Sequence, residues 1–431
     1  MNGFHQGGKP FTSKDVKCTF DLVLGKRGKI KLRKNPRKAW WKNLDSVESK
    51  GDSEVTFNLK RTQPAFLALL ASGYAPVYPC HVSPKTMRTH PIGTGPFKFV
   101  SLKQNESVKF VRNKDYWKKD RPYLDAIEYS IIKSRSTRIL ALISGKFDMG
   151  FNGDITVPLQ RDIMSQAPDM VCERVVGGSS NLIVNQAKPP FDNANIRKAM
   201  VLAIDRKAFI DIISKGENVQ GGAMIPPPQG VWGMPKEFLK NHVAGYNPNV
   251  PENREKAREL MRKEGYGPNN RLKMEVSARN IASYRDPAVI LMDHLKKIYI
   301  DATLKTVETG NWYGMVARKD FSVGLNATAV GVDDPDANFY ENYSCGSQRN
   351  YTGYCNQEME KLFAKQSMMS DQAARKKLVW EIDKRLQEDA ARPIIYHNQV
   401  YNCFQPYVKG FVSHVNSLYN GWRLEDVWID K

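Results

Sequence analysis

The stretch Pro91–Gly150 places turns, strands and a helix in an order that few folds accommodate. Its Gly-Thr-Gly-Pro turn combines glycines, which adopt backbone angles that other residues resist, with a proline that restricts φ. Apolar and polar residues alternate over Phe97–Ser101 and again over Val108–Arg112, the pattern of a half-buried β-hairpin. A third strand is predicted over Ala126–Ile132 and a helix over Ser136–Ser144, and the glycine directly after the helix suits its left-handed cap. The stretch is therefore an α/β segment whose strands and helix are separated by clear turn and cap signals.

The rest of the chain also combines strands and helices, and it is long enough for more than one domain. With 431 residues, of which 41% are hydrophobic and 26% charged, the chain has the length and composition of an ordinary globular protein of two or three domains. A strand over Leu272–Ala278, a helix over Pro287–Ile298 and a strand over Ala302–Val307 predict a partly parallel sheet with helices packed on it. The sequence contains no apolar run of membrane-spanning length, so no membrane span is predicted.

The ordered segment Pro91–Gly150 resembles the central signature of the peptide and nickel class of extracytoplasmic solute-binding proteins, which serve ABC importers. The strand Asn181–Asn185, followed by Pro-Phe-Asp and a helix over Ala194–Ala203, resembles that family's first crossing between lobes, and Arg392–His397 resembles the return crossing. The resemblance implies an α/β fold with two lobes of the periplasmic-binding-protein type (type II, cluster C) and an extra small α/β subdomain in lobe one. The implied division is lobe one at residues 1–180, lobe two at residues 181–398, and a return to lobe one at residues 399–431.

The resemblance also implies a receptor and not an enzyme. A protein of this family captures a small solute in a cleft between its lobes, closes around it by a hinge motion and delivers it to the permease subunits of an ABC importer. We therefore expect a periplasmic monomer that binds a peptide-like solute and has no cofactor, metal or nucleic acid as a partner.

Ligand groups are expected from loops beside the crossing strands and from aromatic side chains that face the cleft in the family. Aromatic side chains with a few polar groups suit a largely pre-formed pocket. The ligand-binding residues implied by the resemblance are Tyr74, Ser179, Asn181, Trp312, Tyr313, Val330, Gly331, Val332 and Asp333.

One position departs from the peptide-binding members of the family. Those members carry an aspartate three residues before the aspartate of an Asp-Pro pair, where it binds the free α-amino group of the peptide. In this chain Asp334 precedes Pro335, and the position three residues earlier is Gly331, flanked by Val330 and Val332. A buried ammonium without a carboxylate is costly. The sequence therefore predicts a modified or cyclic peptide, an opine-like conjugate, a glycoside or a metal chelate in place of a free-amine peptide.

Six cysteines occur, and no pair of them has the C-x-x-C spacing or the clustered histidines of a structural zinc site. The segment from Cys345 to Cys355 resembles a disulfide-closed loop found in the second lobe of several family members. Two free thiols in a reducing compartment are the alternative. Cys80 and Cys403 are interpreted as small apolar residues buried in the core.

A formal net charge of +20 makes nucleic-acid or polyanion binding the alternative function. The densest basic run, residues 25–42, holds nine Lys and Arg and no acid, and it includes Trp40 and Trp41. Basic residues interleaved with aromatic ones suit a protein that binds single strands. No nucleic-acid fold signature accompanies the run, and related proteins have a surface excursion of the small subdomain here. A solvated basic face is therefore the favoured interpretation.

No catalytic constellation is found in the sequence. It has no G-x-S-x-G elbow, phosphate-binding loop, H-E-x-x-H motif or dinucleotide-binding fingerprint. The acidic cluster of Asp333, Asp334 and Asp336 lacks the spacing and the terminal glutamate of a calcium loop. It is predicted to form a turn in which Asp336 caps the next helix.

The segment Phe4–Val16 resembles an internal landmark of the family that normally follows a signal peptide and the first strands of lobe one. No basic region followed by an apolar stretch precedes it, so no signal peptide is predicted in this sequence. We therefore expect that the natural N-terminal segment is missing, and a cytoplasmic short form is the alternative.

Overall fold

The structure is a computed structural model that describes residues 8–32, 34–151, 153–329, 331–415 and 423–431. The chain forms two compact units. The first unit comprises the chain up to Thr62, Leu70–Val175 and the chain from Val400 onward, and the second comprises Gln63–Leu69 and Val176–Gln399. The short segment Gln63–Leu69 therefore belongs to the second unit, although the residues on both sides of it belong to the first.

The helices and strands alternate along most of the chain. The helices are α1 (Ser13–Leu24), α2 (Phe66–Leu70), α3 (Pro84–Met87), α4 (Arg135–Ile143), α5 (Val157–Gln166), α6 (Ala194–Ala203), α7 (Arg206–Ser214), α8 (Lys236–His242), α9 (Val250–Lys263), α10 (Ala282–Lys296), α11 (Thr309–Ala317), α12 (Pro335–Asn342), α13 (Gln357–Ser367) and α14 (Gln372–Glu388). The strands are β1 (Leu44–Lys50), β2 (Glu54–Leu59), β3 (Phe97–Lys103), β4 (Ser107–Arg112), β5 (Ala126–Ser130), β6 (Ile155–Thr156), β7 (Val171–Val184), β8 (Leu272–Arg279), β9 (Ile300–Val307), β10 (Val323–Thr328), β11 (Ile394–Phe404), β12 (Val408–Lys409) and β13 (Trp428–Ile429).

The second unit is built on five strands of a six-stranded mixed sheet, in the order β11-β7-β10-β8-β9, and β6 pairs with β11 at Val400 and Tyr401. Strand β10 runs antiparallel to β7 and parallel to β8, and β8 runs parallel to β9. The parallel pair β8 and β9 is connected through α10, whose Leu291 and Leu295 are buried against Val276 and Leu325 in the sheet core. The partly parallel sheet predicted from the sequence is therefore present, with its core beneath the strands that carry the candidate ligand residues.

The first unit contains three smaller sheets. Strands β3, β4 and β5 form an antiparallel sheet in that order, β1 pairs with β2, and β12 pairs with β13. Phe20 of α1 makes edge-to-face contacts with Trp41 and Phe57, which seats this helix on the β1–β2 hairpin. Another core cluster gathers Leu142 of α4 and Ile163 of α5.

All six cysteines form disulfides, and this extends the sequence interpretation. Cys345 pairs with Cys355, Cys18 with Cys80, and Cys172 with Cys403. The sequence interpretation treated Cys80 and Cys403 as small apolar residues buried in the core and left their pairing open. Cys403 is indeed buried, and both residues are disulfide-bonded. Their partners lie 62 and 231 residues away, and such separations leave no local spacing signal in the sequence.

Two element boundaries also differ from the prediction. Strand β7 spans 14 residues and begins at Val171, whereas the sequence pattern predicted a strand only over Asn181–Asn185. Its first half carries two charged residues and a glycine, which hide the hydrophobic signal of a strand. Helix α10 begins at Ala282 and contains Pro287, which the sequence pattern placed at the start of the helix.

Candidate functional site

Strands β7 and β10 hold the polar residues predicted to contact ligand in the second unit. Their antiparallel register places Asn181 opposite Asn326 and Ser179 opposite Thr328. The amide nitrogen Nδ2 of Asn181 donates to the carbonyl oxygen of Ser179 at 2.9 Å and to Oγ1 of Thr328 at 3.0 Å. Its Oδ1 is buried and has no hydrogen-bond partner among the described residues. Asn181 therefore retains an acceptor at the end of this strand pair.

Gly178 lies on β7 against the end of β10. A Cβ atom at this position would lie 2.7 Å from the carbonyl oxygen of Thr328 and 3.1 Å from the backbone nitrogen of Ala329. The carbonyl oxygen of Gly178 accepts a hydrogen bond of 2.6 Å from Nδ2 of Asn398 on β11. Only a glycine fits between these strands without displacing backbone.

We expect the substitution Gly178→Ala to lower the free energy of unfolding by about 1 to 3 kcal/mol, because a methyl group is forced against backbone. Solute affinity should fall at least tenfold, since the loop after Thr328 would move. The matched control is Gly267→Ala, where a Cβ meets no atom within 4 Å. Urea unfolding and calorimetric titration check both variants. Equal behaviour of the two variants would contradict the tight approach at Gly178.

The loop that follows β10 is hydrogen-bonded to the proline-rich loop Gly221–Trp232. Gly331 and Val332 are buried, and Val330 lies outside the described residues. The Oδ2 atom of Asp333 accepts a hydrogen bond of 2.7 Å from the backbone N–H of Val231, and its carbonyl oxygen accepts one of 2.9 Å from the indole Nε1 of Trp232. Asp333 is thereby fixed by two bonds from the same neighbouring loop.

Burial raises the pKa of Asp333 to about 6. The negative charge of Asp334 raises it further, while the Val231 N–H and the cation of Lys376 act in the opposite direction. The Oδ1 atom of Asp333 is buried without a partner among the described residues. Asp333 is thus an oriented carboxyl group with one oxygen bonded to the neighbouring loop and one buried oxygen without a partner among the described residues.

A buried charge network lies directly behind this loop. Arg375 on α14 contacts Asp334 through two nitrogens, at 2.9 and 2.8 Å, and approaches Asp336 at 3.5 Å. Asp334 caps α12, since its Oδ1 accepts the backbone N–H of Asp336 at 2.8 Å. The prediction that Asp336 caps this helix was wrong, because its carboxylate instead accepts from Gln63, Gln366 and Ser367 inside the unit.

The predicted aromatic pair on α11 is divided between core and surface. Trp312 is 0% exposed and packs with Ile183 and Tyr351, so in this structure its indole supports the sheet and does not face solvent. Tyr313 is 44% exposed and lies 5.7 Å from the guanidinium of Arg279. Helical spacing places neighbours on different faces. The solvent-facing aromatic residue of this pair is therefore Tyr313.

Tyr74 belongs to the first unit, and its ring is covered by an arginine of the basic run, residues 25–42. The guanidinium of Arg37 lies 3.2 Å from the centroid of its ring, and Trp40 contacts it edge to face at 6.1 Å. Trp40 and Trp41 are 2% and 4% exposed. These two indoles therefore pack in the core and are unavailable as the base-stacking surfaces that the alternative nucleic-acid function would need.

The proline-rich loop is held in place by side chains of the second unit, which sequence reasoning did not predict. The carboxylate of Asp383 accepts the backbone N–H groups of Ala223 and Met224, and Nε2 of His397 lies 2.8 Å from the carbonyl oxygen of Gly222. A Cβ at Gly230 would lie 1.9 Å from the carbonyl oxygen of Ile225. The closely spaced glycines on both sides of three prolines could have indicated that this loop is tightly packed, because backbone contacts this close require glycine.

A model of the bacterial extracellular solute-binding proteins, family 5, matches residues 3–350. The chain belongs to this family. The family consists of receptors that bind a solute, which accords with the polar loop ends described above.

Relatives and solved structures of this family resemble the chain over nearly its whole length. It is 25% identical to the oligopeptide-binding protein AppA of Bacillus subtilis, over 99% of this chain and 79% of AppA. DppA from Helicobacter pylori, solved with the peptide STSA, has a TM-score of 0.83 at 22% identity, covering 100% of this chain and 87% of DppA. AgaA from A. tumefaciens R10, solved with agropinic acid, has a TM-score of 0.85 at 22% identity, covering 100% and 86%. The predicted two-lobed α/β fold class is thereby confirmed.

Two other features of this family 5 protein bear on its function. None of the helices in the described ranges has the length and apolar character needed to cross a bilayer. Within those ranges, no group of three or more His, Cys, Asp or Glu side chains is arranged to hold a metal ion.

Proposed function

We propose that this family 5 protein captures a peptide-like solute of the modified-peptide or opine type and delivers it to the permease of an ABC importer. Capture would involve the β7–β10 strand ends and the loop from Gly331 to Asp333, with Tyr313 as an aromatic contact. No chemistry on the solute is proposed. The two units would act as the two lobes of a periplasmic receptor.

The residue at position 331 is the observation that carries this proposal. A free-amine peptide needs a carboxylate there, and the chain has Gly331 followed by the buried Val332. Asp333 lies two positions farther on and is oriented toward the proline-rich loop by its bond to Val231. An ammonium group buried beside Gly331 would lack a counter-ion, which costs several kcal/mol.

The polar groups that remain favour solutes with N–H and O–H donors. The free Oδ1 atoms of Asn181 and Asp333 can accept hydrogen bonds from an amide or hydroxyl group. A peptide with a blocked amino terminus, or an opine whose amine is closed into a lactam, supplies such donors without a full positive charge. Agropinic acid, which occupies the related AgaA, is a suitable first representative of the second class.

The test is calorimetric titration with matched ligands: the dipeptide Met-Leu, N-acetyl-Met-Leu and agropinic acid. We expect N-acetyl-Met-Leu or agropinic acid to bind at least tenfold more tightly than Met-Leu. A saturating ligand, at about a hundredfold over its dissociation constant, should also add roughly 2.7 kcal/mol to the free energy of unfolding. Tighter binding of free Met-Leu than of both other ligands would overturn the proposed solute class.

A gain of function tests the same residue independently. We expect Gly331→Asp to increase the affinity for free Met-Leu at least tenfold relative to N-acetyl-Met-Leu, since it supplies the missing counter-ion. The control is Gly331→Asn, which has nearly the same size without the charge. An equal effect of both substitutions would contradict the electrostatic argument.

A further inference from the structure

Part of the basic run lines a cavity of about 420 Å³ in the first unit. One wall comes from α1 and the residues that follow it as far as Lys34, and the other comes from residues 78–88, which include α3. A cavity of this volume lies within the range of about 300 to 1,000 Å³ that small-molecule sites occupy. We call it the basic pocket.

One disulfide and two hydrogen bonds join the two walls of the basic pocket. Cys18 of α1 is bonded to Cys80, 62 residues farther along the chain. The hydroxyl oxygen of Thr19 accepts the backbone N–H of Tyr78 at 2.8 Å, and the backbone N–H of Cys80 donates to Oδ1 of Asp15 at 2.7 Å. The two walls are therefore fixed to each other within the folded first unit, and the pocket is pre-formed.

The floor of the basic pocket is apolar. Leu22 is 4% exposed and Cys18 is 8% exposed. Leu32, Val82 and Met87 are half-buried and line the same space. Removal of apolar surface from water favours binding roughly in proportion to the area covered. The floor therefore suits an apolar part of a ligand.

The rim of the basic pocket is cationic. Lys34 and Arg88 are exposed and Arg27 is half-buried, and no Asp or Glu is found among the described residues that line the pocket. Within the described part of the chain, these three side chains form no ion pair or hydrogen bond. Both carboxylates of α1 are bonded elsewhere, Asp15 to backbone N–H groups and Asp21 to a lysine of the same helix at 2.6 Å. The positive charge of the rim therefore has no counter-ion from the neighbouring helix.

We propose that the basic pocket binds a single-chain amphiphile with an anionic head group, such as a medium-chain carboxylate. A guanidinium group binds a carboxylate through two parallel N–H groups, and Arg27 and Arg88 supply such groups from opposite walls. The apolar tail covers the floor formed by Leu22, Leu32 and Met87. The pocket lies outside the residues proposed for solute capture, so this binding is a second activity of the chain.

The experiment is calorimetric titration of the whole chain with three probes, each below its critical micelle concentration. Decanoate carries both the charge and the tail, hexanoate has four fewer methylene groups, and decyltrimethylammonium has a cationic head on the same tail. We expect decanoate to bind at least tenfold more tightly than hexanoate, because each buried methylene group contributes to affinity. Decyltrimethylammonium should bind at least tenfold more weakly than decanoate, since its charge is repelled by the rim.

A pair of double variants locates the decanoate site. Arg27→Gln combined with Arg88→Gln removes two rim cations and should lower decanoate affinity at least tenfold. The control combines Lys29→Gln with Lys85→Gln, two exposed lysines from the same two segments that do not line the pocket. It changes the net charge by the same amount, and its decanoate affinity should stay within twofold of the unmodified protein. Thermal unfolding verifies that both double variants remain folded.

A spectroscopic readout tests the floor separately from the rim. In a protein with labelled methionine methyl groups, saturating decanoate should shift the resonance of Met87, which lines the pocket. The resonance of Met359, buried in the second unit, is the internal control and should not shift.

Three results would overturn the proposal. One is equal affinity for decanoate and decyltrimethylammonium, and another is equal decanoate affinity in the two double variants. The third is sedimentation of the protein with phosphatidylglycerol vesicles without any binding of decanoate, which would identify the rim as a membrane-binding surface. Competition between decanoate and agropinic acid or N-acetyl-Met-Leu would instead place decanoate at the solute site and also reject the basic pocket. Solute titrations without decanoate are independent of these results, so failure of the basic pocket is distinguishable from failure of the proposed solute class.

Discussion

Replacing Arg375 with methionine is expected to lower the free energy of unfolding of the second unit by about 3 to 5 kcal/mol. The guanidinium is 4% exposed and lies against two carboxylates, those of Asp334 and Asp336, which are 6% and 0% exposed. Its removal leaves two acidic groups in an interior of low dielectric without their cation. Breaking one side of such a buried pair is strongly destabilising, because the remaining charge is no longer compensated.

The same substitution should weaken solute binding more than tenfold. Arg375 lies over the indole ring of Trp232 at 4.5 Å, and that indole holds the carbonyl oxygen of Asp333. Asp334, the direct partner of Arg375, is the next residue along the chain. Loss of the guanidinium therefore loosens the loop from two directions.

The matched control is Lys377→Met, which removes an exposed cation from the same helix. Surface substitutions of this kind usually change the free energy of unfolding by no more than about 0.5 kcal/mol. Urea unfolding monitored by tryptophan fluorescence measures both variants. A loss below about 1 kcal/mol for Arg375→Met would show that the two carboxyl groups become neutral by taking up protons when the arginine is absent.

The second large effect is a change in the pH dependence of stability on replacing Asp383 with asparagine. Asp383 is 1% exposed, and burial raises its pKa to about 6. A carboxyl group whose folded-state pKa exceeds its unfolded value stabilises the folded state at low pH, and this contribution is lost as the pH rises through 6. Each pKa unit corresponds to about 1.36 kcal/mol.

Two buried histidines act in the opposite direction. Burial lowers the pKa of His294 and of His397 to about 4. Their stabilising contribution is complete above pH 6.5 and is lost as the pH falls toward 4, because the unfolded chain takes up protons first. Asp383 offsets part of this acid destabilisation, since the folded protein takes up a proton at Asp383 over the same range.

Between pH 6.5 and 4.5, Asp383→Asn is expected to lose about 2 kcal/mol more unfolding free energy than the unmodified protein. The control is Glu381→Gln, a half-buried residue on the same helix that pairs with Arg385 at 2.8 Å. Its pH profile should parallel that of the unmodified protein. Urea unfolding at half-unit pH intervals measures all three, and superimposable profiles for Asp383→Asn and the unmodified protein would disprove the raised pKa.

Local patterns were sufficient for the elements whose residues interact with near neighbours. The hairpin over Phe97–Arg112 and the helix Ala194–Ala203 lie where alternation and helical periodicity place them. The family resemblance then correctly indicated two α/β lobes. The polar first half of β7 was missed, because its charged residues interrupt the hydrophobic alternation by which a strand is recognised.

The candidate site was only partly predictable for the same reason. The resemblance selected Ser179 and Asn181, and the structure places both on β7 beside β10. It could not indicate that Trp312 is turned into the core, since burial depends on which helix face meets the sheet. The ligand-binding roles of Ser179, Asn181, Tyr313 and Asp333 stay predictions until the titrations are done.

The amino-acid sequence alone determined that this chain has an α/β fold. The order of turns, strands and helices decides the fold class, and these elements are encoded locally. It also determined the absence of a carboxylate at Gly331. Only the tertiary structure decided the partners of Arg375, the raised pKa of Asp383 and the remote disulfides. Each of these three features depends on burial and on contacts between residues far apart in the chain. Burial and such contacts are not encoded in any local pattern.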